Sequence, residues 1–508
     1  MTGVGTHSLG DWARRAPEKV ACIFPDTGLS VSYAVLDRRA TQAAHWLLGL
    51  GLAPGARIAV LLDNCVEMFE LAFAAERAGV YYTPVSTHLR GAEIDYILRD
   101  CGARVVVTKA EYLGHLPVLA GVVVALVGGG GDAVDYGAVV AGQPDGPLPL
   151  RPIGRDLMYS SGTTGHPKGI FRPLLGAEMR GVALPIAGVL AAAGIRAPDT
   201  VYLSTGPLYH AAPHRFTLHV LRCGGTCIVP RRFDAAGALA LIERYGVTHS
   251  QWVPTMFVRL LALPGEVRGG HDLSSHRRAI HAAAPCPAVV KEQMIAWWGP
   301  ILWEYYAGSE TLGATGIESQ DWQSHWGSVG RVFSGVLHIA DEAGEEVPVG
   351  EVGGIWFSGL PGFEYLNAPE KTAAARNAKG WMTYGDLGHV DAEGYLYLSD
   401  RRADLIITGG VNVYPQEVEQ VLALHPAVAD AGVVGVLDAE MGERVQAAVV
   451  LREGAAATAA ELMAFCRERL SGVKCPRGVE VMEVLPRSDV GKLLRRVLKE
   501  RYRSVVLP

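Results

Sequence analysis

At 508 residues the chain is longer than one hydrophobic core supports, and two to four domains are expected. Hydrophobic residues make up 49% and charged residues 19%, the balance of an ordinary globular enzyme. The formal net charge of −6 gives no electrostatic case for a nucleic-acid partner.

In chain order, the opening "MTGVGTHSLGDWARRAPEK" lacks the apolar core of a secretory signal. The longest apolar runs, 183–195 and 121–131, are too short to span a bilayer. A cytoplasmic protein without a membrane span is expected. "SYAVLDRRATQAAHWLLGLG" sets Val35, Leu36, Ala40, Ala43, Ala44, Leu47 and Leu48 on one helical face and stops at glycine. "ARIAVLLD" (56–63) reads as a strand covered on both faces, 66–79 as a helix with Val66, Phe69 and Phe73 inward, and "ARVVVTKA" (103–110) as a further strand. Glycines 128–131 mark a surface turn. This alternation predicts doubly wound parallel sheet. Around 350–400, "GEVGGIWFSG" and "DAEGYLYLSD" predict short strands in hairpins or a small barrel. A mixed α/β stretch of about a hundred residues follows "SDRRAD" (399–404), which puts a domain boundary there. The eight cysteines are scattered. The closest pair, Cys223 and Cys227, lacks zinc-knuckle spacing, so reduced buried thiols are expected.

The stretch carrying most chemistry is "YSSGTTGHPKGI", Tyr159 to Ile170. It is no Walker A loop: Lys168 follows Pro167 and precedes Gly169, so the Gly-Lys pair and the metal-binding hydroxyl after it are missing. It still suits phosphate. Gly162, Gly165 and Gly169 let backbone N–H groups approach an anion, Ser160, Ser161, Thr163 and Thr164 add hydroxyls, and Lys168 adds charge. Taken alone, such a loop is equally a flexible surface turn.

Its companions occur in a fixed order: "PLYHAAP" (207–213), "HAAAPCP" (281–287), "EYYAGSE" (304–310), "TYGDLG" (383–388), "SDRRADLIITGGVNVYPQEVE" (399–419) and "LPRSDVGKLLRR" (485–496). Together with the loop they span about two-thirds of the chain. This set resembles the adenylate-forming (ANL) superfamily of acyl-CoA synthetases, luciferases and peptide-synthetase adenylation domains. It is most similar to fatty-acid and related CoA ligases. The resemblance implies an α/β fold: a large N-terminal domain of doubly wound sheets with a small β-barrel-like part (1–400), then a small mobile α+β C-terminal domain (401–508).

The resemblance also implies ATP, Mg²⁺ and CoA, and a two-step reaction. A carboxylate attacks the α-phosphate of ATP, giving acyl-adenylate and pyrophosphate, and a thiol then displaces AMP. Bringing an anion to a polyanion requires cations and a metal. By resemblance, Lys168 and the loop residues Ser160, Ser161, Gly162, Thr163, Thr164 and Gly165 take the β- and γ-phosphates, while Glu310, with Thr164, holds Mg²⁺. Tyr306 stacks on adenine beside Ala284 and Ser309, Asp386 accepts the ribose hydroxyls, and Arg401 supports the ribose. Lys492 bridges carboxylate and α-phosphate in the first step, and His210 gates the thiol at the acyl site. Arg495, Arg496, Lys499, Arg501 and Arg503 read instead as a solvated helix face. Gly409 and Gly410 leave room for a thin pantetheine arm. The hinge position, usually Asp or Lys in the family, is Ala403 here.

The acid is expected to be hydrophobic: aliphatic, aryl or polycyclic. Ala282, Ala283 and Ala284 leave volume, Tyr305 removes some, Trp252 and Trp326 are bulky candidates for the wall, and these segments hold no base for a second carboxylate. A free amine is the alternative acceptor to CoA, giving an amide bond synthetase. A non-catalytic nucleotide-binding protein is disfavoured by the complete set Lys168, Glu310, Asp386, Arg401 and Lys492.

Overall fold

The computed structural model describes residues 8–117, 120–130, 133–160, 167–177, 186–195, 197–401, 404–408, 411–438, 441–488 and 491–503. The helix Tyr33–Gly49 starts where the Ser32 side chain accepts from the Val35 N–H. It buries Leu36, Ala40, Ala43, Ala44 and Leu47 on its predicted face, with Trp46 beside them. The strand Arg57–Leu61 is a buried run, and Val66–Ala78 follows as a helix ended by Gly79 in the left-handed conformation. Six parallel strands make the first sheet, in the order Val134–Asp135, Val123–Val127, Val105–Lys109, Arg57–Leu61, Tyr81–Pro84, Arg155–Asp156.

The largest sheet has a parallel centre. Val20–Phe24, Thr226–Ile228, Val201–Ser204, His249–Trp252, Arg278–His281 and Leu302–Tyr306 lie side by side. Beyond Leu302–Tyr306 the pairing turns antiparallel, through Ala314–Glu318 and Ser328–Ser334 to Leu396–Arg401, Met382–Val390, Gly353–Ser358 and Val336–Ala340. The short strands expected near 350–400 are therefore continuous with the large sheet through Ser328–Ser334. In open α/β sheets, ligand sites lie outside the carboxyl ends of the strands. Three of the motifs follow such ends: residues 205–210 after Val201–Ser204, 282–284 after Arg278–His281, and 307–311 after Leu302–Tyr306.

A third, small sheet carries the phosphate-loop motif. Tyr159–Ser160 and Lys168–Phe171 pair antiparallel, with Glu364–Tyr365 on the other side of Lys168–Phe171. From Ile406 onward a separate core forms around Val418, Leu422, Val433, Val445, Ala447 and Leu462. Its sheet runs Val411–Val413, Ile406–Thr408, Gly442–Leu451, Val428–Asp438, with Gly478–Val481 parallel to Gly442–Leu451. The eight cysteines are all free; five are buried, and Cys65, Cys223 and Cys286 are partly so.

Three expectations change. Trp252 is buried among Phe233, Phe257 and Trp298, in a second core cluster shared with Phe257 and Tyr395. Trp326 is 51% exposed and donates its indole N–H to Glu292. A residue-type argument for the acyl wall could not tell core or surface tryptophans from pocket ones. Arg495 leaves the solvated face: its side chain forms a paired contact with both Glu419 oxygens, at 2.7 and 2.8 Å, because Glu419 lies on the facing helix Pro415–Ala423.

Candidate active site

Tyr306 ends the strand Leu302–Tyr306, and its hydroxyl donates to Asp386 Oδ2 at 2.6 Å. Asp386 lies in the strand Met382–Val390, in register with Arg401. The ring of Tyr384, two residues before Asp386, meets Tyr306 edge-on at 5.8 Å. Its hydroxyl accepts from Leu312 N–H at 2.7 Å and donates to the Gly313 carbonyl at 3.0 Å. Ala284 sits half-buried in the turn after Arg278–His281, behind Ala283 at φ 77°. The two segments assigned to adenine thus lie at the ends of two neighbouring parallel strands.

The loop 308–311 is braced from below. Arg215 donates to the Ser309 carbonyl at 3.0 Å and pairs with Asp156 at 2.6 Å. Arg172 donates to the Glu310 carbonyl and, at 3.2 Å, to that of Thr311. Burial, then the neighbouring Arg215 and Arg155, pushes the Arg172 guanidinium down to about 10. Burial would raise the Asp156 carboxyl, but Arg215 and Arg155 hold it well below the usual range. The Glu310 side chain is largely buried, with Oε1 accepting from the Tyr365 hydroxyl at 3.0 Å. A Cβ on Gly308 would meet the Tyr384 ring and come within 2.8 Å of Glu310 Oε2, so glycine there keeps that oxygen approachable.

Backbone strain gathers in the same place. The non-glycine residues with positive φ among those described are Ala283 (77°), Thr311 (49°) and Asn367 (52°). They follow, respectively, the strand leading to the adenine-side turn, Glu310, and the strand Glu364–Tyr365. Such conformations cost on the order of 1–3 kcal/mol each and concentrate at functional sites.

After the strand Val201–Ser204, His210 precedes the helix Ala211–Arg222 as its N-cap. Asn64 holds the approach to it, accepting from Leu208 N–H at 2.7 Å and donating to the Pro230 carbonyl at 2.9 Å and the Gly206 carbonyl at 3.3 Å. Behind the strand end, Tyr202, Phe216, Tyr305 and Trp303 form a run of near-parallel rings, with centroids 6.4, 5.8 and 5.5 Å apart. Gln251 ties the run laterally, accepting from the Tyr202 hydroxyl at 3.1 Å and donating to the Tyr305 oxygen at 3.4 Å.

Lys492 lies on a tight turn, as expected: Arg487 bridges Leu493, and the Ser488 N–H donates to the Lys492 carbonyl at 2.8 Å. Gly491 has φ 73°, and a Cβ there would run into the Thr255 side chain at the start of the helix Pro254–Leu261. The turn is thus seated on the element that follows His249–Trp252, at the carboxyl end of the parallel strands.

The structure brings Lys168, Ser309 and Glu310 together through the small sheet and the loop 308–311, and joins Tyr306 to Asp386. Ser160 pairs with Lys168 in the hairpin. Ser161, Gly162, Thr163, Thr164 and Gly165, the hinge Ala403, and Gly409 with Gly410 lie outside the described residues. Sequence reasoning missed Tyr365, Arg172, Arg215, Asp156, Tyr384 and Asn64. Arg215 carried a faint signal, since it lies five residues past His210 on the motif's own helix. Tyr365 carried none, because it comes from a strand about 200 residues after the loop it joins.

Among the described residues no group of three or more His, Cys, Asp or Glu could enclose a metal. One approachable carboxylate beside a phosphate-loop lysine fits Mg²⁺, which keeps water and takes substrate phosphates as its remaining ligands.

Comparison with known proteins agrees with this geometry. The AMP-binding enzyme family matches residues 9–362, and the AMP-binding enzyme C-terminal domain matches residues 417–492. The chain belongs to the AMP-binding, adenylate-forming enzymes. It is 34% identical to a feruloyl-CoA synthase of Amycolatopsis sp, over 98% of this chain and 99% of that one. ATP-bound MatB from Rhodopseudomonas palustris superposes with a TM-score of 0.86 at 30% identity, covering 98% of this chain and all of that one (100%). The amide bond synthetase McbA from Marinactinospora thermotolerans superposes at 0.83 with 26% identity, over 97% and 99% of the two chains. The protein is an AMP-forming ligase of the acyl-CoA synthetase kind. No helix among the described residues is long and apolar enough to cross a membrane.

Proposed function

We propose that this enzyme uses Mg²⁺-ATP to activate a flat hydrophobic carboxylic acid as its acyl-adenylate and passes the acyl group to CoA, releasing AMP and pyrophosphate. The observation that carries the reading is the meeting of Tyr306–Asp386, Lys168 and Glu310 around one strand end, with the Lys492 turn seated nearby on Thr255. In it Tyr306 and the Ala284 turn hold adenine, Asp386 and Arg401 the ribose, and Lys168 with Ser160, Ser161, Gly162, Thr163, Thr164 and Gly165 the phosphates. Glu310 and Thr164 hold the metal, and Lys492 neutralises the charge that develops between carboxylate and α-phosphate. The domain carrying Lys492, from residue 401 onward, turns between the two steps and brings Gly409 and Gly410 to the thiol. Aromatic acids are favoured by the likeness to feruloyl-CoA synthase.

An amine acceptor is the second reading, favoured by the likeness to McbA. AMP formation with a panel of aryl and alkyl acids, run with CoA, with amines and with neither, separates the two. Acyl-CoA as product supports the first reading. Amides formed efficiently without acyl-CoA replace it with the second, and no acid-dependent AMP overturns both.

A further inference from the structure

Lys168 and Glu310, assigned to phosphate and metal, come from segments about 140 residues apart, yet one side chain touches both. The Tyr365 hydroxyl donates to Glu310 Oε1 at 3.0 Å, and the Tyr365 ring centroid lies 4.8 Å from Lys168 Nζ. The two contacts use different parts of the ring system. The hydroxyl is a directional donor that fixes one carboxylate oxygen, and the π face is a soft acceptor that holds a cation without neutralising it.

Tyr365 is itself tightly held. Its strand pairs with the strand of Lys168, Ile170 opposite Tyr365, and the Leu366 N–H donates to the Gly169 carbonyl at 2.8 Å. The Tyr365 N–H donates to Thr372 Oγ1 at 2.9 Å, and Phe363 packs edge-on against its ring at 4.8 Å. Two residues on, Asn367 takes its positive φ and donates to the Asp100 carbonyl at 3.0 Å, while Asp100 Oδ2 accepts from Tyr159 at 2.6 Å. The segment is thus fixed to both strands of the phosphate-loop hairpin. A tyrosine needed only for packing would not require its hydroxyl on a carboxylate and its face toward a lysine.

We propose that Tyr365 is a positioning residue that sets the spacing between the phosphate-binding lysine and the metal-binding carboxylate, so that Mg²⁺ and the nucleotide's phosphates are captured together. This rests on the roles given above to Lys168 and Glu310.

The test is calorimetric titration of a non-hydrolysable ATP analogue, with and without Mg²⁺, into wild type, Tyr365→Phe, Tyr365→Leu and Glu310→Gln, alongside pyrophosphate exchange over a Mg²⁺ series. Tyr365→Phe keeps the ring and loses the hydroxyl. Its Mg²⁺-free affinity should match wild type, while the Mg²⁺ for half-maximal exchange rises about three- to tenfold. Tyr365→Leu should in addition lower the Mg²⁺-free affinity by a similar factor. A wild-type Mg²⁺ response in Tyr365→Phe, with Glu310→Gln impaired, overturns this inference and leaves the metal assignment standing. An unchanged response in both variants removes the Glu310 assignment and the inference with it. The Phe variant preserves shape, so the result stands even if Tyr365→Leu fails a thermal melt.

Discussion

At the end proposed for the phosphates, Asp156 is met by Arg215, Glu310 by the Tyr365 hydroxyl, and the loop carbonyls of Ser309, Glu310 and Thr311 by two guanidinium groups. At the end proposed for the acid, the core rings of Tyr202, Phe216, Tyr305 and Trp303 meet one another, and the lateral polar contact runs through one glutamine. Both regions share the helix Ala211–Arg222, which gives Arg215 to one and Phe216 to the other. The difference follows from what each must do. A polyanion and a metal demand donors preorganised against charge, because reorganising them during reaction would forfeit the stabilisation. A hydrophobic acid demands only shape, which rings supply without directional partners.

The sharpest break in the phosphate end is Arg215→Met. It takes the hydrogen-bonding partner from the partly buried Asp156, which keeps Arg155 as a neighbouring cation, and frees the Ser309 carbonyl; losing hydrogen bonds to a charged group costs about 1.5–3 kcal/mol. Urea unfolding should show this loss, and adding Asp156→Asn should recover part of it. If the single variant is as stable as wild type, the bracing is incidental.

Lys492→Ala comes next. Removing a preorganised charge donor should slow adenylation by roughly a hundred- to a thousandfold. The same variant, given a presynthesised acyl-adenylate, should transfer the acyl group near the wild-type rate, because the lysine serves one half-reaction. Equal losses in both assays with an unchanged melt would mean that it serves both.

The acid end should respond differently. Tyr305→Leu opens the ring run beside Tyr306. The KM for ATP should stay within about twofold, while relative kcat/KM among acids shifts by roughly tenfold or more, since pocket volume is worth about 1–3 kcal/mol per methylene-sized change. A matching change in the ATP constant would show that the two ends are not separable.

That asymmetry also explains what could be read from the chain alone. Lys168, Glu310, Tyr306 and Asp386, proposed above for the nucleotide and metal, sit in short motifs whose order and spacing are visible in the sequence, and the fold joins Tyr306 to Asp386 and, through Tyr365, Lys168 to Glu310. The repeating strands and helices of the first sheet were equally open, because burial on both faces leaves continuous runs such as Arg57–Leu61. Tyr365, Arg172 and Asn64 act on partners far away in sequence, and local pattern carries no record of a contact made by sheet pairing. Trp252 and Trp326 show the converse failure. A large ring fits core, surface or pocket equally well, and the neighbours decide which it lines.

The smallest expected effect lies where the two regions join. His214 stands one helical turn after His210 and next to Arg215, wholly buried, with Nε2 2.7 Å from the Tyr82 hydroxyl. Burial lowers its pKa to about 4; Asp156 works against that, and Arg215 and Arg222 reinforce it. The folded state therefore keeps the ring neutral at a pH where the unfolded chain, with an ordinary value of about 6.5, has begun to take up a proton. With the folded value below the unfolded one, stability is complete above about pH 6.5 and is lost as pH falls toward about 4. At pH 6 the loss from this one residue is on the order of 1 kcal/mol. His219 and His249, both lowered to about 4, chiefly by burial, add to the same slope. Melting temperature should thus decline from pH 7.5 to 5.5. His214→Asn should be less stable than wild type at pH 8, through the lost ring packing, yet show a shallower decline, by about one proton. Asp156, held far below this window by two arginines, should contribute no slope there, so Asp156→Asn should shift the whole curve and leave its shape. A wild-type slope in His214→Asn would mean that the buried ring already carries its proton in the folded state.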